Sequence, residues 1–265
     1  MENNICCNPM ATPEWRAKYE YDLAVNCLLP HLRRWNLSIE GTTVLDLGCG
    51  TGGLTVALAE QGAICVGVDL DVSFIALASQ MAADHGAGAE FVSVDVLNFE
   101  QLDQSFEGRW FDLVILSEFV EHLINLGNVV RLMSWLRNHL TPRGSIYVSF
   151  PPWFNPFGGH QAGWPIIRYI PWFHLIPQPV KRIVSPGYAR QYLEFFQELN
   201  HLTIRSFEMI IKETQMTIVR RELFHLRPEF YWRYGVSTLR SVVLSKIPIV
   251  RELTTTGAFY LLAKP

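Results

Sequence analysis

The 265-residue sequence predicts an α/β fold organised around a parallel sheet. Three observations carry that reading. Short apolar runs alternate with segments of helical periodicity, which is the rhythm of βαβ units. A glycine-rich stretch, VLDLGCGTGG (44–53), joins the end of one apolar run to the start of a helix. Carboxylates recur at the ends of successive apolar runs, as Asp46, Asp69 and Asp95, where a parallel sheet gathers its binding groups.

Residues 12–35 read as an N-terminal helix or helix pair, with Thr12 as its cap and Pro13 at the first helical position. TTVLDLG (42–48) is the first strand. Residues 52–61 place Leu54, Ala57 and Leu58 on one helical face, and AICVGVDL (63–70) is a second, buried strand. Residues 73–86 form a helix that Ser73 caps and Gly86 stops. AEFVSVDV (89–96) and FDLVILS (111–117) are the third and fourth strands. Residues 128–140 make an amphipathic helix closed by Thr141, Pro142, Arg143 and Gly144, and SIYVSF (145–150) is the fifth strand. The rhythm then breaks. Residues 151–190 set eight prolines among many aromatics, too many for long helices, and read as an insertion over the sheet edge. A helix resumes over 190–215 and a strand follows near 217–225. Residues 227–250 form a second irregular excursion, and GAFYLLAK (257–264) is the last strand. The expected organisation is one domain over 1–265. It has a helical cap at 1–40, a cofactor-binding core at 41–150, and substrate lids at 151–190 and 227–250.

Nearly half of the residues are apolar (49%), enough for a sizeable core. No apolar run reaches the roughly 18–20 residues that span a bilayer. The opening MENNICCNPM lacks a basic region followed by an apolar one, so no secretory signal is expected. The five cysteines are odd in number and show no CxxC spacing, which fits a reducing cytoplasm and argues against zinc. A net charge of −3 with dispersed basic residues argues against a nucleic-acid partner.

The glycine loop needs a ligand to explain its acid. Gly48, Gly50 and Gly53 satisfy G-x-G-x-x-G, the pattern of a dinucleotide site. A pyrophosphate would be repelled by Asp46, two residues before the first glycine. An ammonium would be attracted, through a charge-assisted hydrogen bond of about 1.5–3 kcal/mol. Asp69, 23 residues further on, stands where a carboxylate accepts from both hydroxyls of a ribose. Asp95 can accept from an adenine amino group while the Val96 N–H donates to a ring nitrogen. The ligand these acids describe has an amino acid at one end, a ribose in the middle and an adenine beyond.

Taken in order, VLDLGCGTGG, VGVDLD, VSVDV, FDLVILSEFVEHL and LTPRGSIYVSF resemble the successive motifs of the class I S-adenosylmethionine-dependent methyltransferases over residues 40–150. The resemblance implies a Rossmann-like, seven-stranded sheet with helices on both faces and the last strand antiparallel. It also implies S-adenosylmethionine lying across the carboxyl ends of the strands. Carried over, Asp46 and Gly48 are the methionine-end contacts, with Gly50 in the same loop. Asp69 is the ribose ligand with Leu70 beside the adenine, Asp95 and Val96 are the adenine contacts, and Ser117 lies under the sulfonium.

SEFVEHL (117–123) resembles the matching stretch of the ubiquinone-biosynthesis O-methyltransferases, a subgroup in which this Glu-x-x-Glu-His is linked with a divalent cation. Glu118, Glu121 and His122 can ligate a metal at this spacing, but the favoured reading keeps them for hydrogen bonding within the fold. If the acceptor is a hydroxyl, a base is needed, and His122, His160 and His174 are the candidates, with His160 favoured by its glycine-flanked loop after the fifth strand. The expected activity is methyl transfer to a small apolar, aromatic, lipid- or sugar-bearing hydroxyl acceptor. The alternatives are methylation of nucleic-acid bases or other nitrogens, and a nicotinamide-dependent oxidoreductase. FPPWF (150–154) lacks the leading Asn or Asp that amino-methyltransferases carry. Aromatics and basic residues across 153–183 also raise contact with a membrane surface or a lipid-linked acceptor, so the expected location is the cytoplasm, with peripheral membrane contact as a variant.

Overall fold

Strands β1 (Thr43–Leu47), β2 (Ile64–Asp69), β3 (Ala89–Ser93), β4 (Phe111–Ser117) and β5 (Leu140–Phe150) are joined through helices and lie parallel. They belong to a computed structural model that describes residues 12–158, 167–184 and 199–265. The C-terminal strands β6 (Thr217–Leu226), β7 (Leu239–Arg240) and β8 (Gly257–Ala263) complete one sheet of order β3-β2-β1-β4-β5-β8-β6-β7. β8 inserts antiparallel between β5 and β6, and the two-residue β7 adds an eighth strand at the edge. The chain leaves β1 towards β2 on one side and reaches β4 on the other, so strand order reverses beside β1. Open α/β sheets bind ligands at such a reversal, outside the carboxyl ends of the strands.

One face packs against α5 (Phe99–Ser105), α6 (Leu126–His139) and α8 (Ile204–Glu213), around Phe106, Trp135, Phe150 and Phe207. The opposite face packs against α1 (Pro13–Leu23), a π-helical turn (Ala24–Leu28), α2 (Leu29–Arg34) and α3 (Gly53–Ala59). The remaining helices are α4 (Val72–His85), α7 (Gln178–Val184), α9 (Pro228–Tyr234) and α10 (Pro248–Thr254). Thr12 caps α1 through its hydroxyl, which accepts from the Trp15 N–H, and Pro13 opens the helix. No helix among the described residues is long and apolar enough to cross a membrane.

α1 sits on the glycine loop because Gly53 has no side chain. A Cβ there would stand 2.4 Å from the Tyr21 nitrogen and 2.6 Å from the Ala17 carbonyl, both backbone atoms of α1. Gly53→Val is therefore expected to lift α1 from α3 and cost about 2 kcal/mol or more, the scale of an overpacked core. A lowered urea midpoint with an unchanged slope would show it.

Several boundaries differ from the sequence reading. Asp71, not Ser73, caps α4, because its carboxylate accepts from the Ser73 N–H at 2.8 Å. Residues 141–144 do not form a turn: β5 already begins at Leu140 and pairs there with Phe111, with a shift of register before Leu113. β3 ends at Ser93, which leaves Asp95 two residues past the strand. The late helix starts at Ile204, where Thr203 and Ser206 form a reciprocal cap. Residues 227–250 are not wholly irregular but hold α9, β7 and the start of α10. His160 and residues 190–198 of the expected late helix lie outside the described residues.

Candidate functional site

The two-residue period of β1 builds the site. Leu45 and Leu47 enter the core under α5, α6 and α8, so Val44 and Asp46 face α1–α3. Asp46 is 1% exposed, and the Thr55 hydroxyl of α3 donates to its Oδ2 at 2.6 Å. Removal from water lifts its carboxyl most, the Thr55 bond opposes this, and the nearby Glu20 and Asp69 charges lift it further, to about 7. An acid so placed gains from a cation brought beside it.

The loop after β1 turns over this carboxylate. Gly48 takes φ +76°, and a Cβ on it would lie 2.2 Å from Cδ2 of Phe119, so conformation and space both require glycine. Asp69, at the end of β2, receives the Gly50 N–H at 2.9 Å on one oxygen and the Asp71 N–H at 3.0 Å on the other. Asp46, Gly48, Gly50 and Asp69 are thus brought together. Leu70 beside them is exposed. Asp95 stands past the neighbouring β3 and accepts the Leu97 N–H at 2.9 Å, with Val96 buried.

Two residues of this neighbourhood escaped the sequence reading. Glu20 of α1 accepts from the N–H and the hydroxyl of Thr51 at 3.1 and 2.8 Å, and Arg16 binds its other oxygen at 2.8 Å. The Arg16 guanidinium also lies 4.7 Å from the centroid of Phe74, at the start of α4. Burial raises the Glu20 carboxyl, while Arg16 and Thr51 oppose the rise. The four-residue spacing of Arg16 and Glu20 marks one helical face. Only the docking of α1 on Gly53 turns that face to the loop.

Across from Asp46, the end of β4 carries Ser117, whose hydroxyl is 3.3 Å from that of Ser149 on β5. Glu118 follows in a left-handed conformation (φ 53°), with its N–H on the Ser149 carbonyl. Its carboxylate binds Arg227 at 2.8 Å, and Arg227 binds Glu229 as well. Burial raises the Glu118 carboxyl against the pull of Arg227. Glu121 is buried, and its carbonyl accepts the Asn200 N–H. His122 is reachable by water yet crowded by protein. Desolvation, and then the positive field of Arg16, push its imidazole down to about 4, so it is neutral at physiological pH. Among the described residues no three His, Cys, Asp or Glu side chains gather as a metal would need, and the Glu118 carboxylate is bound to a guanidinium.

Beside Ser117 and Glu118 opens a narrow cleft. Leu23 and Leu28 wall one side, Tyr147 and Phe259 another, and Arg227, Pro228 and Glu229 a third. The walls therefore come from the N-terminal cap, from β5 and β8 of the sheet, and from the start of the C-terminal excursion. The expected 151–190 lid contributes none of its described residues. Phe173 and Ile167 of that lid bury each other in a small core of their own, and Tyr169 faces solvent. The FPPWF stretch makes a turn in which Pro152 accepts from Asn155, with Phe150 in the sheet core.

Residues 44–144 match the family model described as a methyltransferase domain. A ubiquinone biosynthesis O-methyltransferase from Histophilus somni (strain 2336) is 31% identical over 106 residues, 40% of this chain and 43% of that protein. The chain thus spans less than half the length of the curated relatives it matches. Among solved structures, the magnesium protoporphyrin IX methyltransferase from Synechocystis PCC 6803 with bound SAH superposes with a TM-score of 0.55 at 15% identity, over 94% of this chain and 84% of that one. An S-adenosylmethionine-dependent methyltransferase from Clostridium acetobutylicum ATCC 824 gives 0.55 at 13% identity, over 94% and 92%. These likenesses fix the architecture, and the family model fixes the central segment. Over residues 44–144 this chain is thus similar to a methyltransferase domain, and its architecture is the Rossmann-like fold seen in S-adenosylmethionine-dependent methyltransferases.

Proposed function

We propose that the chain transfers a methyl group from S-adenosylmethionine to a hydroxyl of a small, largely apolar acceptor seated in the cleft beside Ser117. The observation that carries this reading is the carboxylate array around the glycine loop. Asp46 and Glu20 are both raised by burial, and a ligand ammonium would relieve that cost. Arg16, fixed to Glu20, offers the matching cation for the carboxylate of an amino acid. Asp69 keeps two carboxylate oxygens at the edge of the loop for a ribose, and Asp95 with Val96 stands one strand further out for an adenine. Gly48 and Gly50 let the ligand backbone approach, and Leu70 is free to cover the adenine.

When bound, S-adenosylmethionine supplies a methyl group on a sulfonium, already a good leaving group. The protein's work is then alignment, exclusion of water and handling of one proton. Ser117 and Glu118 mark the boundary between the acid array and the cleft. His122, neutral above about pH 5, is the first candidate base for an acceptor hydroxyl. His160 is the second candidate base. The lids at 151–190 and 227–250 complete the proposed domain of 1–265, and the apolar walls of the cleft favour a small-molecule acceptor over a nucleic acid.

Calorimetry separates this reading from the nicotinamide alternative. S-adenosylhomocysteine is expected to bind and NADH to fail, because Asp46 and Glu20 would repel a pyrophosphate. The affinity should also depend on pH. The ligand ammonium prefers ionised Asp46, so with that carboxyl near 7 the affinity should rise about tenfold from pH 6 to pH 8. Asp46→Asn should bind about tenfold more weakly at pH 8 and lose the slope. Equal binding by the variant at every pH would remove Asp46 from the site.

A further inference from the structure

The cleft beside Ser117 holds more charge than an apolar acceptor needs. Glu118, Arg227 and Glu229 all line it, so two carboxylates share one guanidinium. Arg227 donates through Nη1 to one oxygen of Glu118 and through Nη2 to one oxygen of Glu229. Each carboxylate keeps a second oxygen that the guanidinium does not take. Arg227 is 8% exposed, and its Nε–H is buried without a hydrogen-bond partner. Buried donors are nearly always satisfied, so one left open on a cleft wall points to a bound group that completes it.

The excess negative charge is not cancelled from behind the walls. His31 also lines the cleft, and burial lowers its imidazole, which is therefore neutral at physiological pH. Beyond it, Glu222 binds Arg34 and Arg240, and both guanidiniums stand about half in water, where solvent screens them. Burial raises the Glu118 carboxyl most, Arg227 opposes the rise and Glu229 adds to it. A cation brought into the cleft would relieve both the burial and the repulsion.

The rest of the lining suits a cation carried on an apolar body. The hydroxyls of Ser117 and Ser149 lie 3.3 Å apart and offer lone pairs to a donor with several N–H groups. Tyr147 and Phe259 bring aromatic rings, with centroids 6.3 Å apart, and aromatic rings attract ammonium groups. Leu23 and Leu28 supply aliphatic surface. An anionic ligand would be repelled by the two carboxylates, and a neutral one would leave their excess charge uncompensated.

We propose that the cleft is a binding site for an organic ammonium, a small amine-bearing molecule whose cation lies against Glu229 with Glu118 behind it. Resting on the methyl-transfer reading, this narrows the acceptor to a molecule with an apolar body, a hydroxyl and one ammonium group. A protonated nitrogen has no lone pair to take a methyl group. The ammonium therefore anchors the acceptor, and the hydroxyl is left to react.

Binding of n-hexylamine and 1-hexanol, which share an apolar body and differ in charge, tests the site without turnover. Each is titrated into the protein at pH 8 and followed by NMR. Hexylamine should bind at least about tenfold more tightly than hexanol, the scale of one charge-assisted hydrogen bond. Glu229→Gln keeps an oxygen for Arg227 and removes the charge. It should lose the preference for the amine while keeping the parent's melting temperature and S-adenosylhomocysteine affinity. Glu118→Gln should lose the preference as well, and it decides the matter if Glu229→Gln does not fold. Asp46→Asn, altered at the glycine loop, should retain it. Absence of hexylamine binding, or equal binding of the two probes, overturns the proposal. So does a preference that survives the Gln variants or disappears in Asp46→Asn, because the amine would then sit at the glycine loop. Failure of S-adenosylhomocysteine to bind the parent would strike the methyl-transfer reading and leave the amine result standing.

Discussion

Arg227→Met is expected to destabilise the protein by about 3–5 kcal/mol, the usual cost of leaving buried charges without their partner. Arg227 is 8% exposed and joins two carboxylates, Glu118 and Glu229. Without it, Glu118 keeps its burial and loses the largest interaction that offsets the desolvation of its charge, with only a Ser149 hydrogen bond left to oppose it. For a chain of this size the melting temperature should fall by about 10 °C. The sign of the pH dependence follows. The stranded carboxylates can be neutralised by protons, so the deficit should be largest above neutrality and shrink towards pH 5. Adding Glu118→Gln should recover part of the loss at pH 8. Melting curves of the single and double variants across pH check this, and a deficit independent of pH would mean that the guanidinium acts only by filling space.

Asp69→Ala is expected to reduce affinity for S-adenosylhomocysteine by about 100-fold or more. Two hydrogen bonds to a carboxylate, each worth about 1.5 kcal/mol or more, would be lost with the ribose contact. The side chain also holds the Gly50 N–H, so part of the loss comes from a loosened loop. Asp69→Asn separates the two effects, because it keeps an oxygen for Gly50 and removes the charge. It should bind more tightly than the alanine variant and more weakly than the parent. Calorimetry at pH 8 reads all three, and unchanged affinity in Asp69→Ala would move the nucleoside elsewhere.

Asp46 links binding to stability. Its carboxyl is raised from 3.8 to about 7 in the folded chain, so the fold favours the protonated form. That contribution is complete below pH 3.8 and fades as the pH rises through about 7. At pH 8 the ligand-free protein therefore carries an ionised, buried acid, a cost that a bound ammonium would offset. Stability given up in this way is typical of binding sites, where buried acids with raised pKa values are concentrated.

The alternation of strand and helix, the glycine loop and the three acids near the strand ends were all legible in the sequence, because each rests on local chemistry. A period of two hides Val44 and Asp46 on one side of β1, and a short apolar run followed by glycines admits few structures. Local chemistry also identified Thr12 and Pro13 as the start of α1 and Gly86 as the end of α4. What it could not determine was which distant surfaces meet. The Arg16–Glu20 face reaches the glycine loop only because α1 lands on Gly53, some thirty residues later. Arg227 reaches Glu118 across 109 positions because β8 slots between β5 and β6 and carries the β6–α9 corner to the end of β4. The cleft illustrates the same point. Residues 227–229 of the second expected lid wall it, and strand order brings Leu23 and Leu28 of the N-terminal cap opposite them, a meeting that no local pattern announces. Pattern along a chain fixes what each segment can bury. Contact between segments far apart is decided by how the sheet closes and which faces are left to cover it.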